Sequence, residues 1–159
     1  MSPALLKRCA QAAARAAVSA GALLARYAGR PRTVTTKRSA IDLVTEVDRA
    51  AERLILRALQ PVDPTFGFLG EERGERRDGA ATRWVVDPID GTMNFVHGLP
   101  IFGVSIGLQH EGALVAGVIY DPMRRELFSA VKGGGATLNG RRIRVSPTKD
   151  LAHSLVLGG

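Results

Sequence analysis

Two helix-period segments followed by a series of short β-rich runs predict an α+β fold, with two N-terminal helices packed on a mostly antiparallel sheet. Three observations carry this expectation. Leu5, Leu6, Cys9, Ala13, Ala16, Ala20, Leu23, Leu24 and Tyr27 recur at three- and four-residue spacings, and Val47, Ala51, Leu54, Ile55, Ala58 and Leu59 do the same. From Ile101 the chain becomes three β-rich runs, IFGVSIGLQ, ALVAGVIYD and ELFSAVKG, joined by HEG and PMRR, which is the pattern of an antiparallel meander. Asn139-Gly140 then supplies a type I′ hairpin signal between ATL and RRIRVS.

The first element is bounded by Ser2-Pro3, a cap followed by a first helical residue, and by Gly29 with Pro31 as a stop. This segment is also where the charge lies. The chain carries +7 overall, yet residues 1–41 hold eight Lys or Arg and no acid, leaving fourteen basic and fifteen acidic residues elsewhere. An acid-free, Arg-rich start also fits a targeting peptide, but Arg15 interrupts the apolar stretch, and an amphipathic helix is the reading adopted. A basic face of this kind is ordinarily solvated, so nucleic-acid binding through residues 1–38 is kept only as a rival. Aromatic residues are scarce at 5%, which argues against base-stacking platforms.

A polar loop, RPRTVTTKRSA, precedes the second helix. Thr45-x-x-Asp48 has the form of a capping box, which would start that helix at Thr45, and Pro61 ends it. TFGFLG reads as a short strand running directly into Glu71-Glu72. RGERRDGAATR reads as a charged loop, and the next strand, residues 84–86, stops at a turn, DPID. Gly133-Gly134-Gly135 lies between two expected strands and reads as a turn. SLVLGG ends the chain as an expected edge strand, open to association. With no repeat and no low-complexity linker, residues 1–159 are expected to form a single α+β domain.

The length allows a real core, and one cysteine, Cys9, excludes an internal disulfide and any cysteine metal cluster, in keeping with a reducing, cytoplasmic setting. No apolar run approaches the roughly 20 residues of a membrane-spanning helix.

The chemistry gathers at element ends, where Asp42, Asp48, Glu71, Glu72, Asp87 and Asp90 fall. Carboxylate and carbonyl oxygens suit a hard cation such as Mg²⁺. Asp87 and Asp90, stiffened by Pro88, can aim two carboxylates and a main-chain carbonyl at one point, and carboxylates that close repel unless a cation lies between. Gly91-Thr92, opening a short helix, would offer N–H groups to an anion. Together these point to metal-assisted phosphoester hydrolysis, although Asp, Pro and Gly are also ordinary turn residues. Rival chemistries lack their residues. Pro88 stands where an aspartyl-phosphate enzyme of the Asp-x-Asp-Gly-Thr type needs an acid, and neither a P-loop nor a Gly-x-Ser-x-Gly elbow is present.

DLVTEVD at 42–48, GEE at 70–72 and DPIDGTMNFVHGLP at 87–100 together resemble the inositol monophosphatase family, as does GVIYDPMRRELFSAVKGGGATLNGRRIRVS after them. The likeness runs from about Lys37 to Val145. It implies the first half of the αβαβα sandwich shared with fructose-1,6-bisphosphatase-like proteins, with the C-terminal α/β half absent. It also implies a site of two or three Mg²⁺ ions, with Glu71, Asp87 and the Ile89 carbonyl as ligands of one ion and Asp87 and Asp90 of a second. Asp90, Gly91 and Thr92 match the phosphate-binding positions. Thr92 and Asp48, with Glu71, match the catalytic positions, and Lys37 and Glu72 stand behind the ligands. His97 is read as supporting its loop, and Asn94-Phe95 resembles the branch acting on inositol phosphates. The implied activity is hydrolysis of a small phosphorylated polyol by a homodimer sensitive to lithium. The family's second half adds a further aspartate and most of the substrate's pocket. A non-catalytic metal-binding fragment or interaction module is therefore the alternative.

Overall fold

The structure, a computed structural model, describes residues 1–28, 40–71, 74–77 and 79–155, with the backbone alone at 40–45, 75 and 76. Helix α1 spans Pro3–Tyr27; Pro3 is at its first turn, and Ser2 Oγ accepts the Leu5 N–H at 3.2 Å. The expected stripe is buried at Cys9, Ala13, Ala16, Ala20 and Leu24, whereas Tyr27 is exposed at the helix end. Small residues on this face let α1 lie close to the sheet. At Gly21 an added Cβ would stand 2.5 Å from the Tyr120 ring.

Helix α2 spans Ala40–Leu59 and corrects the capping-box expectation. The helix begins five residues before Thr45, so Asp48 is interior to it. The reason is visible in the spacing: Val44 continues the Val47–Ala51 stripe backward, and helix propagation is easier than starting anew. Ala58, counted in that stripe, is exposed. The expected loop before α2 lies outside the described residues up to residue 39.

One eight-stranded sheet follows. Its strands are β1 (Gly67–Gly70), β2 (Gly74–Arg76), β3 (Thr82–Asp90), β4 (Gly103–His110), β5 (Ala113–Asp121), β6 (Glu126–Val131), β7 (Gly135–Leu138) and β8 (Arg141–Ile143). Their spatial order is β2-β1-β3-β4-β5-β6-β7-β8, and all neighbours are antiparallel except β1 with β3. The meander and the Asn139-Gly140 hairpin are as expected, both turn residues having positive φ (49° and 78°). The glycine run forms the β6–β7 turn, with Gly134 N–H donating to Val131 O.

Three expectations fail. The charged loop contains β2, which pairs antiparallel with the edge of β1. The strand expected over 84–86 extends to Asp90, so DPID is part of a strand and not a turn. Pro88 is tolerated there because it falls in the irregularity between Asp87 and Asp90, where the regular ladder with β4 is interrupted. Ser154 and Leu155, expected to open a last strand, follow a 3₁₀ turn at Leu151–His153 and pair with no strand; residues 156–159 lie outside the described residues.

Both long helices lie on one face of the sheet. Helix α1 packs on β4, β5 and β6, and α2 on β3. Trp84, Val86, Val104, Ile106, Leu108 and Val118 alternate toward them, and with Leu24, Ile55 and Leu59 they make the core.

Candidate active site

The parallel pair places the first two acids. Gly70 is opposite Val86 on the last rung of the β1–β3 ladder, so the next residues along, Glu71 and Asp87, emerge side by side on the same face. Their carboxyl groups are hydrogen-bonded.

A bulge places the third. Asp87 stands opposite Ser105 and Asp90 opposite Gly103, so two residues of β3 intervene where β4 has one. In a regular strand residues three apart point to opposite faces; one extra residue reverses the parity and returns Asp90 to the face of Asp87. The electrostatics agree. Burial raises the Asp87 carboxyl to a pKa of about 6, helped by the negative charge of Glu71, the hydrogen bond to it and the charge of Asp90, while the Ile89 N–H on Asp87 Oδ1 (3.0 Å) acts in the opposite sense.

Behind the bulge the chain turns into a short helix, α3 (Thr92–Val96), capped by Gly91. Gly91 has φ 90°, and an added Cβ would meet the Ile101 carbonyl oxygen at 2.9 Å, so both conformation and space require glycine. Thr92 Oγ1 donates to the Ile89 carbonyl at 2.9 Å, tying the helix start to the strand end. Asn94 Nδ2 donates to the Ile101 carbonyl at 2.8 Å, and Phe95 meets Phe102 edge-on at 4.9 Å, so the loop is anchored from below. His97 is exposed at the helix end.

Asp48 is 4% exposed on α2, which packs against both β3 and α3. The strand end, Gly91, Thr92 and the helix bearing Asp48 thus come together. Lys37 and Glu72 lie outside the described residues, as does the side chain of Asp42. Sequence reasoning missed Glu52, which is fully buried one turn beyond Asp48. The available signal was its place inside the apolar stripe, between Ala51 and Ile55.

The donor set consists of oxygens alone, the chemistry of a hard divalent cation. Asp87 holds its proton to about pH 6 because it is buried and because Glu71 and Asp90 crowd it, and a cation between the acids would remove the second cost. The residues therefore fit such an ion. Among the described residues no three of His, Cys, Asp or Glu already converge as a preformed cage; Glu71 and Asp87 are paired, and Glu71 and Asp90 are exposed while Asp87 is half-buried.

Comparison with known proteins agrees with this arrangement. Residues 5–159 match the inositol monophosphatase family. The chain is 48% identical over 148 residues to a protein named Nus factor SuhB from Pseudomonas aeruginosa, covering 91% of this chain and 55% of that protein. It is 43% identical over 145 residues to an inositol-1-monophosphatase from Rhizobium meliloti, covering 89% of this chain and 54% of the relative. Among solved structures, the inositol monophosphatase of Zymomonas mobilis superposes with a TM-score of 0.79 at 31% identity, covering 94% of this chain and 56% of that one. The chain spans about half the length of the curated relatives it matches. Its motifs, fold and sequence identity all lead to the same assignment: the chain belongs to the inositol monophosphatase family.

Proposed function

We propose that this chain forms the metal- and phosphate-holding part of a Mg²⁺-dependent phosphomonoesterase acting on inositol monophosphate or a similar small phosphorylated polyol. The observation that carries the proposal is the bulge that brings Asp90 to the side of Asp87 and Glu71, directly before Gly91-Thr92. In this reading residues 1–159 are one α+β domain, equivalent to the family's N-terminal half.

Glu71, Asp87, Asp90 and the Ile89 carbonyl would hold the ions, two or three in the complete site. Bound there, Mg²⁺ would lower the pKa of a water and offset charge on the departing oxygen. The chain's own groups do the rest. The first N–H groups of α3, at Gly91 and Thr92, have no intrahelical partner and donate to phosphate oxygens, with the helix's positive end behind them. Thr92 Oγ1, already donating to Ile89 O, is left as an acceptor that orients the attacking water. Asp48 takes that water's proton as the new P–O bond forms and the ester P–O bond breaks. Lys37 and Glu72, carried over from the family resemblance alone, are assigned supporting roles in this reading. A cytoplasmic, lithium-sensitive homodimer completes the reading.

The test is phosphate release from inositol 1-phosphate with and without millimolar Mg²⁺. Release that stops without Mg²⁺ and falls by orders of magnitude in Asp87→Asn supports the proposal. A second reading is a metal-binding part without turnover of its own. Mg²⁺ binding without phosphate release would select it.

A further inference from the structure

Glu52 has no part in the chemistry above, yet it is the most completely buried acid among the described residues, at 0% exposure, on the face of α2 turned toward the sheet. Its carboxylate is pressed against the end of β1. A Cβ added at Gly70 would stand 2.6 Å from Glu52 Oε2 and 2.7 Å from its carboxyl carbon. The carboxylate, together with the Phe68 ring whose Cε1 would stand 2.8 Å from the same Cβ, fills the space that any other residue's side chain would need at position 70. Gly70 is the last residue of β1 before Glu71, and Glu71 is hydrogen-bonded to Asp87. A fully desolvated carboxylate is costly to bury, so its presence at this point needs a reason beyond packing.

We propose that Glu52 is a positioning residue: its carboxylate seats the turn at Gly70-Glu71 and so sets where the Glu71 carboxyl stands beside Asp87. The proposal rests on the divalent-cation reading of those acids. A helix side chain packed under a strand end fixes the height of that end, and Glu71, the first residue past it, inherits the position. The glycine and the glutamate are then one device: position 70 lacks a side chain because Glu52, with the Phe68 ring beside it, occupies its place. The groups that hold ligands in position behind a metal site influence its affinity nearly as much as the ligands themselves.

The test uses the whole chain and Mn²⁺ alone as the probe, with free Mn²⁺ read by its electron paramagnetic resonance signal. Glu52→Gln keeps the shape but exchanges one acceptor oxygen for a donor. It should weaken Mn²⁺ binding roughly tenfold, by more than any change in the urea midpoint of the metal-free protein accounts for. A merely structural role would lower stability and affinity together. Gly70→Ala displaces the same turn without altering any charge, and it should weaken Mn²⁺ by roughly tenfold in the wild-type background but by less in Glu52→Ala, where the carboxylate is gone and the Phe68 ring is the remaining obstacle. Wild-type uptake of Mn²⁺ that both Glu52→Gln and Gly70→Ala leave unchanged overturns the role of Glu52 alone. A wild-type chain that takes up no Mn²⁺ overturns the metal reading and this one with it.

Discussion

Glu71 and Asp87 meet as the first rung beyond the only parallel ladder in the described sheet, one rung past Gly70 and Val86. Parallel strands deliver both chain ends in the same direction, so two acids far apart in sequence leave the sheet together. The energetic signature of that meeting is an Asp87 carboxyl raised to about pKa 6.

A pH prediction follows from the raised value. A carboxyl whose folded pKa lies above its unfolded one contributes stability that is complete below about pH 4 and is lost as pH rises through about 6. Asp63 acts in the opposite sense: hydrogen bonds from the Thr65 hydroxyl and N–H hold its carboxyl below the ordinary range. The difference between wild type and Asp87→Asn therefore isolates the group. Urea denaturation of the metal-free proteins should show Asp87→Asn gaining on wild type between pH 4 and pH 7. A difference that is flat with pH refutes the crowding of acids at this point.

Divalent cations should reverse that penalty. Millimolar Mg²⁺ at pH 7 should raise the melting midpoint of wild type, by an amount equivalent to about 2.7 kcal/mol if the ion stands at a hundredfold its dissociation constant. Asp87→Asn should lose most of the effect. Equal shifts in both proteins would mean that the cation acts elsewhere.

Gly91→Ala attacks the phosphate cradle through the backbone. The new Cβ meets the Ile101 carbonyl, and φ 90° is strained for any L side chain, together costing about 1–3 kcal/mol. Calorimetry should register the loss, and inorganic phosphate binding in the presence of Mg²⁺ should weaken. An unchanged melting curve would show that the loop relaxes freely.

Ile55→Ala tests the layer beneath. Ile55 is fully buried between α2 and the sheet, and its truncation should cost about 2–5 kcal/mol in urea denaturation. A cost below about 1 kcal/mol would mean that α2 contributes little to holding the sheet.

The helices and meander were legible because each rests on local spacing: Ser2-Pro3 opening α1, apolar stripes on two helices, Asn139-Gly140 at the hairpin. The boundaries were less so. Thr45 and Asp48 have the right chemistry for a cap, yet the Val44–Val47–Ala51 stripe carries the helix past them. Of the site, Glu71, Asp87, Asp90, Gly91 and Thr92 were named from sequence, but the means of bringing them together was not. DPID has the composition of a turn, and whether it bends the chain or swells a strand depends on the partner β4, far along the sequence. Glu52 was missed for a related reason: what makes it notable is Gly70 opposite, a tertiary contact.

The extra residue between Asp87 and Asp90 gives this region an unusual vulnerability to insertion and deletion. Loss of a single codon at Pro88 or Ile89 would leave every acid encoded, the ladder with β4 free to pair in regular alternation and Asp90 still on the face of Asp87. Yet it would bring the two acids one residue closer and remove the bulge that bends the strand just ahead of Gly91-Thr92. Substitutions of neighbouring apolar residues leave that bend and spacing in place; a change of one in the count does not. In an alignment of diverging copies, gaps should therefore be rarer across these four positions than mismatches beside them.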